Sequence, residues 1–170
     1  MDESRFWSLI EAARLAANGD CDAMHDALCT RLLPLPLDEI VEFDKLFGQL
    51  QYQANRYDLQ AAYLIMTGSG SYDGFIYFRS WLIGQGHERY YHALAQPDSL
   101  ADIDLGDDDD AECEALAYVA LHAYEEKTGA EMREYPIEHK EIEGHPLTEQ
   151  ELRERFPKLC EKYGWDMDMS

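Results

Sequence analysis

The chain has 170 residues, enough for one domain with a buried core, and its 46% hydrophobic and 12% aromatic content suits a folded protein rather than a disordered one. Thirty-five acidic residues against 14 basic ones leave a net charge of −21, which repels nucleic acid and anionic membrane surfaces alike. No apolar run approaches the roughly 18 residues of a membrane-spanning helix, so no membrane partner is expected.

The opening "MDESRFWSLIEAAR" is acidic and amphipathic and lacks the basic start of a secretory leader, which predicts a cytoplasmic protein. Asp2 or Ser4 can cap a first helix whose Phe6, Leu9, Ile10 and Ala13 recur at helical spacing, ending near Asn18-Gly19. A second helix is predicted from Asp20 to Leu33. Pro34 and Pro36 then interrupt the chain. Asp38 stands at the start of a third helix, with an apolar stripe of Ile40, Val41, Phe43, Leu46, Phe47 and Leu50. "YDLQAAYLIMTG" reads as a fourth helix that stops at Gly68.

"GSGSYDGFIYFRSWLIGQG" raises the question of a phosphate loop. Gly68, Gly70 and Gly74 form G-x-G-x-x-x-G, one residue longer than the dinucleotide fingerprint, and the preceding segment is helical where a strand is required. No G-K-[ST] follows, and Asp73 repels an anion. The glycines therefore read as a packing corner, with Ser71 or Asp73 capping the next helix. In that helix Phe75, Phe78 and Leu82 share a face beside Trp81. Arg79 is the residue out of place, and a buried pair with Asp58 or Asp73 is the expected answer to its charge.

"GHERYYHALAQPD" reads as a short helix closed by Pro97. Residues 97–114 hold nine acidic residues and no basic one, either as a solvated loop or as the acidic front of a helix over 111–127, where Asp107 to Asp110 would favour the positive helix end. Gly129 ends that helix. Residues 130–147 lack periodicity. "TEQE" from Thr148 resembles a capping box for a last helix, which Pro157 kinks or splits. The fold class is all-α: a single compact multi-helix domain of about six to eight helices. Residues 1–128 form the helical core, and 129–170 an irregular C-terminal segment with one helix packing on it.

Cys21, Cys29, Cys113 and Cys160 show no C-x-x-C spacing, and a cytoplasmic setting predicts reduced thiols. His87 and His92 lie five apart, about 140° around a helix, so they cannot share a metal ion. His139 and His145 fall in a loop at a spacing that names no site. Asp102-x-Asp104 begins like a calcium loop, but Cys113 stands where its bidentate Glu belongs. No G-x-S-x-G is present. Neither a metal nor a cofactor is expected.

The chain resembles a bacterial family labelled domain of unknown function 4240. The likeness rests on "DESRFWSLIEAAR", "YDLQAAYLI", "SYDGFIYFRSWLIGQG" and "YEEKTG", covering residues 1–128, and "RFPKL" near the end also fits. The family pattern usually has an acidic residue where Tyr72 stands. The resemblance implies a small, mostly helical bacterial domain and brings no catalytic residue.

Three functions fit these observations. The first is a binding or inhibitor protein that meets a basic partner, such as a toxin, through Asp98, Asp102, Asp104, Asp107, Asp108, Asp109 and Asp110. The second is an enzyme or small-ligand binder with a cleft lined by Arg56, Asp58, Asp73, Arg79, Trp81 and His87. The third is a helical domain that oligomerises through an aromatic face, since the chain has 11 tyrosines. The first is preferred and catalysis is not favoured.

Overall fold

The computed structural model describes residues 1–105, 110–133, 135 and 140–165. Helix α1 (Glu3–Ala17) starts where the Asp2 carboxylate accepts from the Arg5 amide at 2.8 Å, and it stops at Asn18 in the left-handed region, φ 52°. Helix α2 (Cys21–Leu32) is capped in the same way by Asp20. After the proline break comes α3 (Leu37–Gln53), whose Ile40, Phe43, Phe47 and Leu50 are buried at helical spacing. Helix α4 (Tyr57–Thr67) ends at Gly68 with φ 73°. Helices α5 (Tyr72–Gly84) and α6 (His87–Ala95) follow, then a 3-10 segment, Pro97–Asp102.

The described residues include no β-strand, only an isolated bridge between Arg56 and Glu143. The fold is all-α. Its centre is α5, in which every residue from Phe78 to Gly84 is buried. A helix apolar around its whole circumference must be covered on every side. Here α1, α3, α4, α6 and the segment before the next long helix do the covering.

The glycine-rich corner is a packing device. Ser71 Oγ accepts from the Gly74 amide at 3.1 Å and starts α5. A Cβ at Gly74 would lie 1.9 Å from the Tyr63 hydroxyl oxygen, so only glycine lets α5 come this close to α4. That hydroxyl is itself held, donating to Glu112.

Two expectations are corrected. No α-helix covers 111–118. A 3-10 turn, Glu114–Tyr118, precedes α7 (Val119–Thr128), because Cys113 is held extended at φ −144° while its amide donates to the Tyr77 carbonyl at 3.0 Å. The thiols are not all reduced either: Cys21 and Cys113 form a disulfide across 92 residues, and Cys29 and Cys160 remain free. With no local motif, this pairing follows from packing α2 against the segment that leads into α7. Gly129 ends α7 with φ 71°.

The C-terminal segment crosses back over the core. Its amide and carbonyl at Glu143 bond to Asn55 and Tyr57. Thr148 and Glu151 form the capping box of α8 (Glu149–Arg155), and Pro157 splits the expected single helix by starting α9 (Pro157–Lys162). Phe156 and Leu159 are buried in the main core.

Gly74→Ala is expected to cost about 1–3 kcal/mol through overpacking against Tyr63. In urea unfolding, adding Tyr63→Phe should recover part of the loss, since it removes the nearest clashing atom. Cys113→Ser should lower stability by about 2–4 kcal/mol, because the bond closes a long loop in the unfolded chain. Reductant should lower the unfolding midpoint of the native chain and leave that of the variant unchanged.

Candidate functional site

The six residues proposed for a cleft lie in different parts of the fold. Asp58 sits against Arg56, with guanidinium nitrogens at 3.0 and 2.5 Å, and a second guanidinium from Arg155 approaches to 3.6 Å. His87 packs edge-on against the Trp7 ring at 5.5 Å and beside Tyr91 at 4.8 Å. Trp81 stacks on Phe78 and lines a concavity next to the disulfide. Asp73 is exposed in the first turn of α5.

Arg79 stands apart from these five. Only 5% of it is exposed, yet it lines a groove of about 1200 Å³ between α3, α5, the turn before α7 and Tyr135, Lys140 and Glu141. Its Nη1 donates to the Gln51 carbonyl at 2.9 Å, and its guanidinium lies 4.8 Å from the Phe75 ring centre. Gln51 belongs to the last turn of α3, where carbonyls lack helical partners and a cation is favoured. Among the described residues no carboxylate pairs with Arg79, and its Nε is buried without a hydrogen-bond partner. Burial pulls the guanidinium below its ordinary pKa, against smaller opposing effects of Tyr72, Tyr52 and Tyr90. The expected ion pair with Asp58 or Asp73 is absent from these contacts, because Asp58 is held by Arg56 and Arg155.

A second buried polar atom without a partner, Gln51 Oε1, belongs to another residue of the groove. The Gln51 amide nitrogen donates to the Ile76 carbonyl at 3.3 Å and to Ser80 Oγ. This fixes the orientation of the amide, since a flip would set oxygen against the carbonyl. Tyr72, Tyr118 and Leu121, exposed at 69%, 41% and 37%, line the same groove. Lys45 and Lys140 line it too, as do Asp44 and Glu141. Burial raises the Asp44 carboxyl above the ordinary range, and the hydrogen bond donated by Tyr135 partly offsets this.

In the acidic stretch, Asp98 accepts from the Lys158 and Leu159 amides at 3.1 and 2.9 Å, so it caps α9. Asp102, Asp104 and Asp110 are exposed. Asp107, Asp108 and Asp109 lie outside the described residues, as does His139. His25 Nε2 and His122 Nδ1 meet at 2.8 Å between α2 and α7, with Asp26 at 3.1 Å from the other His25 nitrogen. Cys29 Sγ lies 3.8 Å from Glu126, and burial raises its thiol pKa, with the Glu126 charge adding to the effect. No three His, Cys, Asp or Glu side chains among the described residues gather as metal ligands. No helix among those residues is long and apolar enough to cross a membrane.

A family model described as "Protein of unknown function (DUF4240)" matches residues 1–126. The chain belongs to this family. The match takes in α1 to α6 and most of α7, and with them Gln51 and Arg79. No curated protein and no solved structure matches the chain.

Sequence reading singles out Arg79 from its apolar neighbours. It misses Gln51, whose only signal is its place near the end of α3, one helix away from the arginine.

Removing half of a buried ion pair costs about 3–5 kcal/mol. Arg79→Met removes an unpaired buried charge together with one hydrogen bond, and these effects oppose each other. The expected change in unfolding free energy is below about 1 kcal/mol, measured by urea titration.

Proposed function

We propose that this protein binds a small organic anion in the groove around Arg79. The observation that carries the reading is a guanidinium buried in a groove, with its Nε unpartnered and, among the described residues, no carboxylate paired with it. An uncompensated buried charge costs several kcal/mol, and a bound anion would remove that cost. Ligand sites combine an apolar lining with a few convergent polar groups, and this groove has Arg79 and Gln51 among tyrosines. A small ligand would occupy only the part of the groove nearest Arg79. The reading requires no turnover.

The test is amide and Arg Nε–H NMR of the full chain against a library of small organic acids. Shifts at Gln51, Ser80 and the Arg79 Nε–H, lost in Arg79→Met, are expected. A library that leaves these signals unmoved overturns the proposal.

A second reading keeps the acidic surface as a docking face for a basic protein. It is supported by the net charge of −21 and by exposed Asp102 and Asp110. Capture from the native cell extract should then yield a stoichiometric basic protein that moderate salt releases. A cytoplasmic setting is part of this second reading, and there the Cys21–Cys113 pair would be held reduced.

A further inference from the structure

The two unpartnered buried atoms at Arg79 and Gln51 are of opposite kinds. Arg79 Nε–H is a donor and Gln51 Oε1 is an acceptor. They belong to residues already tied together, because Arg79 Nη1 donates to the backbone carbonyl of Gln51. Neither atom can be satisfied by rotating the amide, whose nitrogen is fixed on Ile76 and Ser80. Buried polar groups in folded proteins find partners, so an orphaned donor and an orphaned acceptor on two residues of one groove describe what is missing. The missing group has to bring an acceptor for the guanidinium and a donor for the amide oxygen.

Charge narrows the acceptor. Among the described residues, the titratable cations lining the groove are Arg79, Lys45 and Lys140, against the carboxylates Asp44 and Glu141. The formal balance of these described residues is one positive charge, which a monoanion neutralises and a dianion exceeds. The net charge of −21 acts in the same direction, since it repels a dianion twice as strongly.

The body of the ligand follows from the rim. Of the five large exposed hydrophobic side chains among the described residues, three are Tyr72, Tyr118 and Leu121 on this groove. Their clustering in one place is the mark of a binding surface.

We infer that the groove takes an aromatic or otherwise apolar monocarboxylate carrying an N–H or O–H next to the carboxylate, such as a 2-hydroxy acid or an N-acyl amino acid. The carboxylate faces Arg79 and the neighbouring donor bonds Gln51 Oε1. The apolar body lies along Tyr72, Tyr118 and Leu121. This assignment rests on the Arg79 groove being a ligand site.

The test uses four probes with one phenyl body, titrated calorimetrically into the full chain: 3-phenyllactate, 3-phenylpropionate, 3-phenyllactamide and 2-phenylethyl phosphate. Phenyllactate is expected to bind best. Phenylpropionate, without the hydroxyl, should bind about tenfold more weakly, and the uncharged lactamide weaker still. Gln51→Leu should abolish the difference between phenyllactate and phenylpropionate. Should that variant fail to fold, the four-probe ranking on the native chain carries the test. Equal affinity for phenyllactate and phenylpropionate would overturn the donor assignment. Tighter binding of the phosphate would overturn the carboxylate assignment, and both outcomes would leave the groove as a ligand site. Silence from all four probes, with groove NMR signals also unmoved by the wider acid library, would overturn the site and the inference with it.

Discussion

Helix α5 has almost no face for water. From Phe78 to Gly84 every side chain is covered, and that sets the arrangement of the whole molecule. Four other helices and the turn before α7 have to surround one cylinder, which leaves little freedom in their order. It also places Arg79 where a cation is hardest to keep. The local answer is the end of α3, where the Gln51 carbonyl takes the guanidinium and the Leu50 carbonyl takes the Tyr90 hydroxyl at 2.6 Å. Neighbouring side chains thus finish a helix that has no capping glycine. The carbonyl supplies a dipole and not a full negative charge, which leaves Arg79 electrostatically incomplete.

Part of the chain's acidity serves the fold. Asp2, Asp20, Asp98 and Glu151 each accept from amides at the start of a helix. Glu112 holds the Tyr63 hydroxyl, and Asp58 binds two arginines. The remaining excess gives the molecule a negative field in which the groove is a small exception. Two electrostatic scales therefore coexist: a global negative field, and a local buried positive charge at Arg79.

Local chemistry was legible from the residues alone. The caps at Asp2, Ser71 and Thr148, the stops at Asn18, Gly68 and Gly129, and the break at Pro157 depend on neighbours within four positions. Most features that eluded the sequence are long-range. The Cys21–Cys113 bond depends on how α2 meets a segment 92 residues away, and the same segment prevents residues 111–118 from forming regular helix. At the candidate site, Arg79 was visible as an anomaly in an apolar run. Its surroundings were not, because the helix that supplies Gln51 is identified only by packing. The natural carboxylate partner on α4, Asp58, is held by Arg56 two positions before it, and Arg155 from the far end of the chain approaches the same carboxylate.

The disulfide has a mechanical consequence. It bridges a 92-residue separation that contains nearly all of α2 and the whole of α3 through α6. A pulling force applied at the two termini runs through the sulfur–sulfur bond and bypasses that loop. Helix α1 and the C-terminal helices can be stripped away while the enclosed helices carry no tension. Reduction then releases a hidden contour on the order of 300 Å, at about 3.5 Å per residue. One covalent bond divides the protein under load into a shielded centre and two expendable arms.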